Sequence, residues 1–479
     1  MIPIKDAVLM LANIPPKGRD LQMPGTPDYQ PKELKPYLGK DAMAGWLVIV
    51  AWFWLYALAK TGVMPSETAK LLTPDLLEKL LRIKMTRVRE VERQITQHDI
   101  LALLRLMRAI MPRELHRWLH LGGTSYDLIC TAYALQIYWT FTLVFLPKAQ
   151  AVSREWQLFI RDYAGTVQLG RTHLQDATPV TVGLWLAVLH SRFIDAVGEA
   201  QIRAGQIPGK WSGATGTKAP IRSLSRWLQI PPNIETELLT MLGLPAAPCV
   251  TQITPPEPTA RFYNELGLMS AALANLGEDM RILQSSKIGE IDTPSSSSSA
   301  MSHKTGNPIA AEQLAGMYVS VLGEQSKVLN NLISDLQRDL RNSNVMRGYA
   351  AIFVFAYQQL LTTERIFKKL VVRGVRILDN CEAGGKFVVA ELLHLSLQVG
   401  GVPDAHHLVN TKIVPQAKAS GKNLAEAMDA YARRSRSEVL RRAWAAVPSD
   451  VWDVIANPYH YIGDAVAIAK KEGAQLRLI

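Results

Sequence analysis

The chain has 479 residues, 48% hydrophobic and 20% charged, with a formal net charge of +11. That balance is ordinary for a globular protein of two or three domains and leaves core formation in no doubt. Cys130, Cys249 and Cys381 are far apart and form no CxxC. Neither a disulfide framework nor a thiolate metal site is therefore suggested, and a reducing cytoplasm fits. The positive excess favours anionic partners such as nucleotides or polycarboxylates, although a solvated surface gives the same sum.

Residues 1–40 are rich in proline and lysine and read as a surface wrap, and Lys5 and Asp6 precede any long apolar run, unlike a signal peptide. Ala42 to Ala59 carries no charge over 18 residues. Its length lies at the lower edge of a membrane span, and a single run of that length is better read as a core helix. Leu103, Leu106, Met107 and Ile110 form an apolar helix stripe that Pro112 ends. Five long stretches follow: Tyr126 to Ala164, broken only by Pro147, then Thr181 to Ala204, Thr259 to Glu290, Ile309 to Asn342 and Ala350 to Val372. Read as helices, they far exceed the usual mean of about 11 or 12 residues, and the longest would span about 58 Å. Such helices must bury a face along most of their length, so a central five-helix bundle is expected. Apolarity on several sides, as in residues 137–146 and 269–276, points to bundles associating between subunits. Strand-like alternation is weak and confined to 208–218 and 248–254. Beyond residue 378, glycine and proline breaks separate shorter helices. The arginines at 433, 434, 436, 441 and 442 lack interleaved aromatics and read as a solvated face, not a nucleic-acid site.

Four segments stand out near the ends of the long helices: residues 120–127 (HLGGTSYD), 170–183 (GRTHLQDATPVTVG), 211–217 (WSGATGT) and 295–312 (SSSSSAMSHKTGNPIAAE). Free backbone N–H groups at helix starts suit anions. Thr124 and Ser125 read as an N-cap before Asp127, and the same hydroxyls suit a carboxylate. A loop of small residues running into Lys304 and Asn307 could close over an anion; a flexible linker is the plainer reading. His173 taken alone would be structural, but Arg171, Thr172 and Gln175 surround it with polar groups. Arg338, Ser343 and Arg347 could grip a phosphate or simply face solvent.

Together these segments resemble the fumarase/aspartase superfamily. Its loop Gly-Ser-Ser-x-Met-Pro-x-Lys-x-Asn-Pro is matched from Ser297 to Pro308, with serine at 297 and 302 and one extra residue between Lys304 and Asn307. Its HxGxTSxD, GRTH and SGAxGT blocks are matched in order at 120–127, 170–173 and 212–217. Within the superfamily the adenylosuccinate lyase branch is the most similar, through His98-Asp99, Thr251-Gln252 and the Arg338-Asp339, Ser343, Arg347 series. The branch's Arg-Asp after Thr-Gln is replaced by Pro255-Pro256-Glu257, and its N-terminal Arg-Tyr by Asp28-Tyr29.

The resemblance implies an all-α chain of three helical domains, 1–122, 123–376 and 377–479, whose central bundles build a cytoplasmic homotetramer with shared sites. It implies fumarate elimination from a succinylated nucleotide, with no metal, cofactor, nucleic acid or membrane involved. In that scheme Ser298 is the base, and His173 is the acid, oriented by Glu312. Lys304, Asn307, Thr124 and Ser125 stabilise the aci-carboxylate. His98, Asp99, Thr172, Gln252 and Met301 complete the substrate contacts, and Arg338, Ser343 and Arg347 hold the phosphate. An argininosuccinate- or carboxymuconate-type substrate and a non-catalytic descendant remain the alternatives.

Overall fold

A computed structural model describes residues 2–14, 30–294 and 306–475. Among the described residues the chain is all-α apart from a short hairpin and one two-residue pairing. Its internal contacts divide it into two compact units. Unit 1 comprises 1–151, 193–274 and 315–361; unit 2 comprises 152–192, 275–314 and 362–479.

The uncharged N-terminal run forms helix α1 (Ala42–Lys60), apolar all round and buried through most of its length. Trp46, Trp52 and Trp54 lie fully inside, and Trp46 donates its indole N–H to Tyr37 O at 2.9 Å. By length and composition α1 could cross a membrane, but 83% of it is buried in protein, as a core helix requires. The apolar stripe becomes α2 (Asp99–Ile110), ending before Pro112.

The longest helix, α3 (Ser125–Asp162), continues through Pro147. A proline inside a helix lacks its N–H, and its ring crowds the carbonyl four residues back. Here the preceding turn, Phe141–Phe145, widens to π-helical geometry, which relieves that crowding. A hairpin follows, with β1 (Val167–Thr172) antiparallel to β2 (Gln175–Thr181), and then α4 (Val182–Ala204). The sequence reading missed this hairpin. The region expected to alternate, 208–218, is an irregular loop with one isolated bridge, Gly209 to Ala246. Beyond it lie α5 (Ile234–Leu242), α6 (Glu257–Leu283), β3 (Ile291–Asp292), α7 (Ile309–Asn330), α8 (Arg341–Met346), α9 (Ala350–Phe367), β4 (Val371–Val372) and α10 (Gly374–Gly384).

The expected long helices α3, α4, α6, α7 and α9 all form, but three end early. The helix starting at Ile309 stops at Asn330, not Asn342. Asn330 turns its amide back to Ser326 O, Asn331 donates to the Tyr349 hydroxyl, and the Asp339 carboxylate takes the backbone N–H of Asp335. Side chains of this kind compete with the helical ladder without any proline or glycine to announce it. The other two stop at Leu283 and Phe367. Within unit 1, Phe141 meets Phe262 and Phe145 meets Phe353 edge to face, Phe141 stacks on Phe145, and a buried Ser270–Gln359 hydrogen bond of 2.6 Å ties α6 to α9. Within unit 2, residues 389–455 share their own apolar cluster, and Arg433, Arg434 and Arg436 are exposed.

Candidate active site

The start of α3 is fixed by a capping box. Thr124 N–H donates to Asp127 Oδ2 at 2.8 Å while the Thr124 side chain caps the helix. The Asp127 carboxylate is fully buried. It pairs with the buried Lys210 ammonium and accepts N–H bonds from Ser212 at 2.9 Å and from Gly213. Buried Glu235, on α5, accepts from Trp211 N–H and Ser212 Oγ and pairs with Lys218. The SGATGT block is thus a support beneath Thr124 and Ser125. Gly123 allows Trp211 to press against it, since a Cβ there would lie 2.6 Å from the indole. Gly216, at φ +78°, admits the Val250–Thr251 backbone. Burial pushes the His120 imidazole down to about 4, so this block histidine is a neutral group packed edge-on to Trp211.

Above that support, unit 1 holds a cavity of about 700 Å³. His98, Asp99, Thr124 and Ser125 line it, together with Gln252, Arg338, Ser343 and Arg347. Eight of the residues named from sequence therefore meet in one chamber, although they span residues 98–347. His98 caps α2, its Nδ1 accepting Ile100 N–H at 3.2 Å. The same N–H also reaches Asp99 Oδ1 at 2.8 Å, and His98 Nε2 is hydrogen-bonded to Ser125 Oγ at 3.2 Å. Arg338 donates to Gln252 Oε1 at 2.9 Å, and its guanidinium lies over the Tyr126 ring. Arg347 has no hydrogen-bond or ion-pair partner among the described residues. Burial raises the Tyr133 hydroxyl, with the Arg347 charge pulling the other way, and raises Tyr349 to about 12. The bond to Arg341 holds the exposed Asp339 carboxyl well below the usual range, making Asp339 a clamp for the 335–341 turn. Lys40, Arg89 and Tyr126 also line the cavity and were not picked out from sequence. No pattern marks Lys40 or Arg89; Tyr126 sits at the unspecified position of HxGxTSxD.

Unit 2 carries Thr172, His173, Glu312 and Asn307, all exposed. His173 and Leu174 form the two-residue turn of the hairpin, with φ of +54° and +59°. Such a turn usually takes glycine or asparagine, because a β-carbon is strained there. The ladder and a buried anchor hold it: Arg171 donates to Glu290 at 3.1 and 2.5 Å, and Asn380 donates to the same carboxylate at 2.9 Å. Arg171 is therefore an anchor. Among the described residues no hydrogen bond or ion pair joins His173 to Glu312. Ser298, Met301 and Lys304 lie outside the described residues.

The fold matches a fumarate lyase from Mesorhizobium sp. BNC1, with a TM-score of 0.76 at 22% identity over 94% of this chain and 99% of that one. It also matches a 3-carboxy-cis,cis-muconate lactonizing enzyme from Pseudomonas putida, with a TM-score of 0.74 at 21% identity over 93% and 97%. The family model described as Lyase matches residues 51–323. The adenylosuccinate lyase of Pyrococcus horikoshii is 32% identical over 87% of this chain and 89% of its own length. That of Archaeoglobus fulgidus is 31% identical over 91% and 94%. The chain belongs to the adenylosuccinate lyase family of the fumarase/aspartase superfamily and is a C–N lyase.

Proposed function

We propose that the protein cleaves adenylosuccinate to AMP and fumarate, and also the succinylated aminoimidazole carboxamide ribotide, in purine biosynthesis. The observation that carries this reading is the single cavity in which Arg338, Ser343 and Arg347 stand with Thr124, Ser125 and His98. Two arginines and a serine suit a phosphate, and helix-start hydroxyls suit a carboxylate. A dicarboxylate without phosphate, such as argininosuccinate or carboxymuconate, has no use for the first set.

In this reading Ser298 takes the proton beside the carboxylate, and His173 protonates the departing nitrogen with Glu312 behind it. Lys304, Asn307, Thr124 and Ser125 stabilise the charge that develops on the carboxylate. Thr172, Met301, Gln252 and Asp99 complete the contacts. The protein acts in the cytoplasm as a homotetramer, with each site drawing on more than one chain. Support for this comes from exposed Val188, Ile202, Leu268 and Val319 on the long helices. The test is an absorbance assay of fumarate release from adenylosuccinate, run beside argininosuccinate and carboxymuconate. Turnover of either of the latter without turnover of adenylosuccinate would overturn the reading.

A further inference from the structure

Among the phosphate-grip residues, Arg338 differs from Arg347 in being held from several sides. Its Nε donates to Asp339 O at 3.0 Å, a terminal nitrogen donates to Gln252 Oε1 at 2.9 Å, and its Cζ lies 3.2 Å from the centroid of the Tyr126 ring. The guanidinium is planar, with five N–H groups in that plane. Two of them are engaged, and the aromatic face covers one side of the plane. What remains for a ligand in the cavity is the rest of the fork, in an orientation already set.

Tyr126 neither caps the helix, as Thr124 and Asp127 do, nor bonds to His98, as Ser125 does. It is the second residue of α3, immediately after Ser125, and its ring is 6% exposed. The same side chain packs with Cys130 and Ile253, so plain core filling is the competing explanation. Core filling alone would be met by any apolar residue; a flat guanidinium over the ring needs an aromatic one.

We propose that Tyr126 is a positioning residue for anion recognition: its ring fixes the tilt of the Arg338 guanidinium, Gln252 fixes the in-plane rotation, and the fork meets the ligand's phosphate pre-oriented. The proposal deepens the nucleotide reading and rests on it. Through Tyr126 the helix start that carries Ser125 and the turn that carries Arg338 are ordered together, so the carboxylate and phosphate ends of a substrate are set at a fixed separation.

The experiment measures AMP and adenosine binding by calorimetry, and KM and kcat with adenylosuccinate, for Tyr126→Leu, Tyr126→Met and Tyr126→Phe. Methionine fills the buried space with a flexible apolar chain and serves if the leucine variant fails to fold. Loss of the ring is expected to weaken AMP about tenfold and adenosine less than about twofold, and to raise KM about tenfold with kcat nearly unchanged. Tyr126→Phe, which keeps the ring, should restore AMP binding to within about twofold of the parent. In an Arg338→Ala background, removing the ring should cost nothing further. Equal losses for AMP and adenosine, additivity with Arg338→Ala, or a phenylalanine variant as weak as leucine would each overturn the proposal. A parent protein that binds adenosine as tightly as AMP rejects the phosphate grip itself. A parent AMP preference untouched by removal of the ring rejects Tyr126 alone.

Discussion

The cavity of unit 1 and the hairpin of unit 2 solve opposite problems. In the cavity, one chain completes the arrangement: buried Asp127 and Glu235 pin the 210–218 loop, that loop supports Thr124 and Ser125, and Gln252 and Tyr126 hold Arg338. At the hairpin, His173 is exposed on a turn whose two residues both have positive φ. Side chains that line the cavity are ordered inside one chain because buried packing and hydrogen bonds over-determine them. A side chain at an exposed, strained tip is pre-shaped by its turn alone.

The strongest way to break this comparison is catalytic. His173→Ala and Ser298→Ala are each expected to lower kcat by ~10²–10⁴ while AMP binding persists. Mixed tetramers reassembled from the two inactive proteins should recover part of the activity. Proven hybrids without recovery would show that each site belongs to a single chain.

Next in size is the buried pair beneath the cavity. Asp127→Ala leaves the Lys210 ammonium buried without its counter-charge, and should cost about 3–5 kcal/mol in denaturant unfolding. A loss under about 1 kcal/mol would mean that the support is dispensable. At the cavity wall, Arg347→Ala should weaken nucleotide binding by about 1.5–3 kcal/mol and spare the nucleoside. Equal losses for both ligands would place the arginine's role elsewhere.

Protonation gives a further contrast. His120 is held near 4 in the folded chain against an ordinary 6.5, so the unfolded chain binds the extra proton between those values. Stability should therefore be fully present above about pH 6.5 and fall as pH drops towards 4, by about 2 kcal/mol between pH 7 and 5. His120→Gln should flatten that part of the profile, and an unchanged slope would assign it to other groups. The smallest effect belongs to the hairpin. Leu174→Gly removes the positive-φ strain but gives the unfolded chain more freedom, a net gain of about 0.5 kcal/mol. A thermal unfolding shift downward would show that the leucine side chain itself holds the turn.

The sequence by itself determined the class of structure and picked out separated polar residues that fold into one cavity. Helix period and length are local properties, so the five long helices, the core character of Ala42–Lys60 and the cap at Thr124 were legible residue by residue. The motifs likewise named eight of the residues that line the cavity. Tertiary structure alone decided what is non-local. The 167–181 hairpin carries His and Leu where turn chemistry calls for glycine or asparagine, and it persists because Arg171 reaches Glu290, 119 positions away. The ends at Asn330 and Phe367 follow from side-chain competition and packing with no breaker in the sequence. Above all, the division between groups that bind and groups that support emerges only on folding. Lys210 and Ser212 carry the same donor chemistry as Arg338 and Ser343, but burial against Asp127 and Glu235 makes them part of the support beneath the cavity.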